Sequence, residues 1–325
     1  MRVGLFRPTS LLGQELRDRL SGALGSDAEW VLLGSGDEVG TVTEIGRSPA
    51  LVEDVATADV EALDLLISCG AGGDDLSAIV PAGGAGPIVL QVAAEAVCVG
   101  GEPLVGGLNV ARAGARSLVA ANAITIVLSH VLAALDELEP ARLTSTVLLP
   151  VSVRGRSALD EVLDQARSLL AFQEVPPASV LGAQLAFNLL PPSPPERLAP
   201  DPVGLAGELA AVRGRSLDAS FGVLYAGVFH GLGILTRLEL SRPAGVAEVR
   251  RRLLASPRLV APPHQDAGPI DTASREDVLV GAVMPGERPE AVWLWLLADN
   301  LALTAANAVT IVETLALDGQ PDHAN

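Results

Sequence analysis

Val119-Ala120-Ala121-Asn122-Ala123-Ile124-Thr125-Ile126 is the run on which the reading of this chain turns. It opens a stretch from Leu118 to Leu135 that carries no formal charge and approaches the length of a membrane-spanning helix. Asn122, Thr125, Ser129 and His130 interrupt that stretch, and no basic cluster flanks it to set an orientation. The run therefore predicts a buried core helix, with no membrane partner. It also marks the point where one domain gives way to the next. At 325 residues the chain is long enough for two domains, each with its own core.

On the N-terminal side, Arg2 to Phe6 reads as a short apolar strand and too short a run for a signal peptide. The turn Arg7-Pro8-Thr9-Ser10-Leu11-Leu12-Gly13 follows, then a helix with Leu12, Leu16 and Leu20 at i, i+4 and i+8. Strand, turn and helix in that order open a dinucleotide-binding unit. Trp30 to Leu33 is a second strand and leads into Gly34-Ser35-Gly36-Asp37-Glu38. Asp64 to Cys69 and Ile88 to Val92 are largely apolar, with Leu65-Leu66-Ile67 and Ile88-Val89-Leu90 at their centres, as strands buried on both faces of a parallel sheet are. A glycine turn at Ala71-Gly72-Gly73 and a helix start follow the first of these.

On the C-terminal side, Arg142 to Val151 alternates into a strand. Arg154 to Glu161 then starts a helix, with Ser157 and Asp160 spaced as a capping box. Leu159, Val162, Leu163, Ala166, Leu169 and Leu170 form one apolar stripe, expected in the core. Phe221 to Phe229 and Gly231 to Ser241 read as adjacent strands, with Leu232, Ile234, Thr236, Leu238 and Leu240 along one face. By alternation His230 would share the face of Leu232. Leu301 to Leu317 is the last helix.

The bulk numbers exclude several function classes. Hydrophobic residues make up 49% of the chain and its mean hydropathy is +0.39, which excludes general disorder. A net charge of −17 argues against a nucleic-acid partner, because polyphosphate binding needs clustered cations. Lysine is absent, so no Schiff-base chemistry is available. Two cysteines, Cys69 and Cys98, without a secretory signal suggest free thiols and a cytoplasmic protein.

Taken together, Ala71-Gly72-Gly73, Pro103 to Asn109, Gln184-Leu-Ala-Phe-Asn-Leu-Leu-Pro191, Val228-Phe229 and Ala298-Asp-Asn-Leu301 resemble, in order and spacing, the aspartate-semialdehyde dehydrogenase family. The resemblance implies an α/β fold: a Rossmann-type NAD(P)-binding-like domain over 1–120 and 300–325, and an α+β dimerisation domain over 121–299. It implies a homodimer. It places Ala123 where the family has its nucleophilic cysteine, Leu149 at the substrate-orienting glutamine, Tyr225 at the carboxylate-gripping arginine and Leu232 at the general-base histidine. A methyl group has no lone pair with which to attack an aldehyde. The cofactor side would comprise Thr9, Gly13, Asp37, Gly72 and Asn300. Asp37 falls where an arginine reads the 2′-phosphate of NADP, and an acid repels that phosphate but can accept from a ribose diol, so NAD is favoured over NADP if any dinucleotide binds. Arg7 and Ser10 stand where glycines are expected.

Within the family, the missing cysteine and glutamine most resemble the Usg (Usg-1-like) group. Two functions follow as expectations. The first is a non-catalytic homologue, a dimeric scaffold or regulatory protein. The second is an NAD(P)-dependent oxidoreductase of amino-acid biosynthesis acting on an aldehyde or acyl phosphate, with a relocated group such as Cys98 or His230. No metal site is expected.

Overall fold

The computed structural model describes residues 1–25, 28–70, 86–93, 100–191 and 201–318. Its contacts divide the chain into two compact units. One comprises Met1–Asn122 with Thr304–Asn325, and the other Ala123–Leu303.

The first unit is an eight-stranded sheet in the order β3-β4-β2-β1-β5-β6-β8-β7. Its strands are β1 (Arg2–Phe6), β2 (Glu29–Gly34), β3 (Val42–Ile45), β4 (Ser48–Asp54), β5 (Leu65–Cys69), β6 (Ile88–Val92), β7 (Glu102–Leu104) and β8 (Ser117–Ala120). All pairings are parallel except the β3–β4 hairpin. The order reverses at β1, which has β2 on one side and β5 on the other. That is the switch point where doubly wound sheets open a crevice at their carboxyl ends. Every residue of β5 is buried, Ser68 included, in keeping with its largely apolar sequence. Helix α1 (Leu11–Leu24) buries Leu12, Leu16 and Leu20 on one face.

The second unit is a mixed seven-stranded sheet in the order β10-β11-β9-β12-β15-β14-β13. Here β9 is Pro140–Leu149, β10 Leu189–Leu190, β11 Asp218–Ala226, β12 Leu232–Leu240, β13 Leu259–Val260, β14 Val278–Pro285 and β15 Ala291–Ala298. Leu143, Ser145, Val147 and Leu149 of β9 are buried, while Arg142, Thr144 and Thr146 are exposed. The sheet thus has one core face and one open face. Helices α2 (Ala123–Ala134), α4 (Pro202–Arg213) and α5 (Val246–Leu253) pack together, with α4 against β11 and α5 against β14. Thr125, Ser129 and His130, which break the apolar run of α2, are themselves buried.

Three expectations are corrected. The two strands read as neighbours, β11 and β12, have β9 between them. Their link crosses the end of β9, where the Val151 and Ser152 amides donate to the carbonyls of Val228 and Phe229, and β11 stops at Ala226. Ser157 does not cap a helix. Helix α3 (Arg156–Leu170) has Gly155 at its N-cap, with φ 81° and no side-chain cap, so Ser157 already lies in the first turn. The apolar stripe of α3 is only partly core, since Val162 is buried but Leu170 is 71% exposed.

The last helix, α6 (Asn300–Asp318), is long and apolar enough by length and composition to cross a membrane, but 61% of that window is buried within the protein. Such burial is the mark of a core helix. In the first unit, Asn307 of α6 accepts from the Gly106 amide at 2.7 Å and donates to the Leu104 carbonyl at 3.2 Å.

Candidate functional site

The four positions that the resemblance assigns to catalysis all fall in the second unit. Tyr225 lies opposite Leu149 in the parallel pairing of β11 with β9. Leu232 opens β12, whose next residue, Gly233, pairs with Leu148. Three of the four thus gather at one end of three neighbouring strands. Ala123 is the first residue of α2. Leu149, Leu232 and Ala123 are each 1% exposed and Tyr225 is 5% exposed. The guanidinium of Arg154 stands 5.8 Å from the centre of the Tyr225 ring and also donates to the Val180 carbonyl. At that separation a cation meets the negative face of an aromatic ring. The sequence offered no sign of Arg154, because the pairing depends on the turn that follows β9.

His230 does not share the face of Leu232. Gly231 has φ 92°, which ends the alternation, so Leu232 is buried and His230 exposed. The other relocated candidate, Cys98, and the cofactor-side Gly72 lie outside the described residues. Cys69 is buried. Among the described residues no group of three His, Cys, Asp or Glu side chains is placed to hold a metal.

On the cofactor side, the turn after β1 is tied to itself. Arg7 has φ 60°, the left-handed conformation that favours glycine, and its guanidinium lies 5.8 Å from the Phe6 ring. The Ser10 hydroxyl accepts from the Gly13 amide at 3.0 Å and donates to the Arg7 carbonyl at 2.9 Å. An amide at this helix N-terminus that could meet a phosphate is therefore already bonded. Gly13 is a packing glycine, since a Cβ there would lie 2.2 Å from the Arg7 carbonyl oxygen. Asp37 is exposed, and its neighbour Glu38 is the acid that turns inward, accepting from the Thr9 hydroxyl. The Asp37 carboxylate is thus open to solvent, and the Glu38 carboxylate is engaged with Thr9. A bonded helix start, a side chain at a glycine-favouring position and a carboxylate held by Thr9 do not fit a 2′-phosphorylated dinucleotide.

Asn300 belongs to the second unit. It is 1% exposed and accepts from the Ser152 hydroxyl at 3.2 Å. Beside it, Asp299 caps α6 by accepting from the Leu301 and Ala302 amides at 3.0 and 3.1 Å, and its other oxygen accepts from the Ser274 amide. The family-like Asp-Asn pair is thus engaged in holding the start of the helix.

Fold and site together define a two-unit α/β protein, with a doubly wound parallel sheet in one unit and a mixed sheet backed by helices in the other. The chain is related to the aspartate-semialdehyde dehydrogenases and has their fold. It is 30% identical over 204 residues to aspartate-semialdehyde dehydrogenase of Rickettsia bellii, a match covering 60% of each chain. It is 25% identical over 329 residues to the enzyme of that name from Synechocystis, covering 97% of each. The structure of aspartate semialdehyde dehydrogenase II from Vibrio cholerae, complexed with ASA, superposes with a TM-score of 0.85 at 21% identity, covering 98% of this chain and 99% of that one. The Francisella tularensis enzyme gives 0.83 at 14% identity, covering 98% and 100%. No family model matches the chain.

Proposed function

We propose that this protein is a non-catalytic relative of the aspartate-semialdehyde dehydrogenases, acting as a dimeric scaffold or regulatory protein in the cytoplasm. The observation that carries the reading is the character of one strand end. Leu149, Tyr225 and Leu232 meet there as buried side chains, and none of them can act as a nucleophile or accept a proton at neutral pH. Ala123 adds a methyl group where a thiol would be needed. The turn holding Thr9, Ser10 and Gly13 supports the same reading, because its hydrogen bonds are spent internally. The likeness to the Usg group rests on the same replacements.

The dimer reading rests on the open face of the second sheet. Thr144 and Thr146 are exposed, and Leu148, Leu235, Trp293 and Trp295 are half-buried. A second copy would cover this face. The test of the catalytic claim is a turnover assay with aspartate semialdehyde, phosphate and NAD or NADP, in which no dinucleotide is reduced; sustained reduction above the uncatalysed rate contradicts it.

A further inference from the structure

The first unit has a cavity of about 730 Å³ at the amino ends of its parallel strands, the opposite end of the sheet from the switch-point crevice. Its volume falls within the ~300–1,000 Å³ typical of small-molecule sites. Leu63, Leu65 and Ile88 line its floor, and Val312 and Leu315 of α6 form one wall. Two exposed side chains of opposite charge, Asp64 and Arg116, are part of its lining, along with Met1 and its α-ammonium. One Asp64 oxygen accepts from the Arg2 amide at 2.7 Å. Arg116 donates to the Gly86 carbonyl and has no described carboxylate within ion-pair distance. In a chain of net charge −17, a guanidinium with spare donors above an apolar floor is suited to a planar anion carrying a hydrocarbon tail. A fully hydrated inorganic anion would gain nothing from that floor.

We propose that this cavity binds a small aliphatic carboxylate, with the carboxylate on Arg116 and the tail on Leu63, Leu65 and Ile88. The same chemistry is offered by a plain short-chain acid and by a free aliphatic amino acid, whose ammonium would meet Asp64. The site is independent of the proposed loss of catalysis, which rests on none of the residues lining this cavity.

Calorimetric titration of the full chain with acetate, butyrate, hexanoate and L-leucine tests it. Affinity should rise about three- to fourfold per added methylene until the floor is covered. Arg116→Gln should weaken hexanoate at least tenfold. Ala316→Trp, which fills the cavity from a half-buried helix position, should abolish binding without moving the melting midpoint by more than a few degrees. If leucine binds and Asp64→Asn weakens it but not hexanoate, the ligand is an amino acid. If hexanoate binds and leucine does not, it is a plain acid, and both results uphold the site. No saturable binding at 20 mM (about a thousandfold weaker than a 20 μM ligand), affinity independent of chain length, or indifference to both Arg116→Gln and Ala316→Trp overturns it.

Discussion

Tyr225 lies directly across from Leu149 on the neighbouring parallel strand, and both side chains are buried. The Tyr225 phenol and the Leu149 side chain supply neither a carboxylate-binding cation nor an amide to orient a carbonyl, and the nearby Arg154 guanidinium is turned to the Tyr225 ring and the Val180 carbonyl. Replacing one residue there cannot rebuild a site whose other positions are also apolar or uncharged. Ala123→Cys should therefore restore no phosphate-dependent turnover of aspartate semialdehyde, followed by NADPH absorbance. Turnover by that single variant would show that the remaining positions still suffice.

Millimolar NADP or NADPH should leave the melting midpoint of the protein unmoved. The Gly13 amide is bonded to Ser10 and the Glu38 carboxylate to Thr9. A nucleotide present at a hundred times its Kd would add about 2.7 kcal/mol of stability. A rise of several degrees with NADP would mean that the turn opens readily.

Gly13→Ala tests the packing role of that glycine. Helix propensity alone favours alanine by about 1 kcal/mol. The new Cβ would lie 2.2 Å from the Arg7 carbonyl oxygen and 2.9 Å from the Pro8 carbonyl carbon, both backbone atoms with little room to give. Overpacking costs about 1–3 kcal/mol or more, so net destabilisation of about 2 kcal/mol is expected in urea unfolding. A stabilised variant would contradict the close approach.

His130 supplies a pH dependence. Burial in the core, reinforced by the charge of Arg258, lowers its pKa to about 4 from 6.5. The unfolded chain therefore binds the proton more readily than the folded one. Stability is full above about pH 6.5 and falls as the pH drops toward 4, by roughly 3 kcal/mol in all. Urea midpoints at pH 7.5 and 4.5 should differ accordingly, and His130→Asn should flatten the difference. An unchanged slope in the variant would assign the effect to the carboxylates.

The open sheet face predicts a dimer at micromolar concentration in sedimentation. Thr146 is exposed in the middle of that face, between Gly222 of β11 and Leu235 of β12. Thr146→Glu places like charges together across a symmetric contact, and should weaken association at least a hundredfold while leaving the far-UV spectrum intact. A monomeric wild-type protein would show that no second copy covers this face.

Much of the fold was legible because its cues are local. Leu12, Leu16 and Leu20 mark the buried face of α1, and the largely apolar run of β5 marks a strand covered on both sides. What escaped the sequence depends on partners far along the chain. Gln165, fully buried, accepts from the Leu185 and Ala186 amides, and Glu161 accepts from those of Val180 and Leu181. These contacts draw α3 inward around polar groups, so the leucine stripe was a poor guide to its buried face. The Thr9–Glu38 contact joins residues 29 apart in sequence, so no local pattern announces which acid of the Gly36–Glu38 turn is engaged. The insertion of β9 between β11 and β12 follows from a five-residue link that crosses a strand end, a path no alternation pattern encodes.

The most direct measurement is steady-state turnover by the purified full chain at saturating aspartate semialdehyde and phosphate, with NAD and NADP in separate arms. With Ala123, Leu149, Tyr225 and Leu232 at the four positions, dinucleotide reduction should be no faster than in the protein-free control in both. Phosphate-dependent reduction that scales with protein concentration would contradict it.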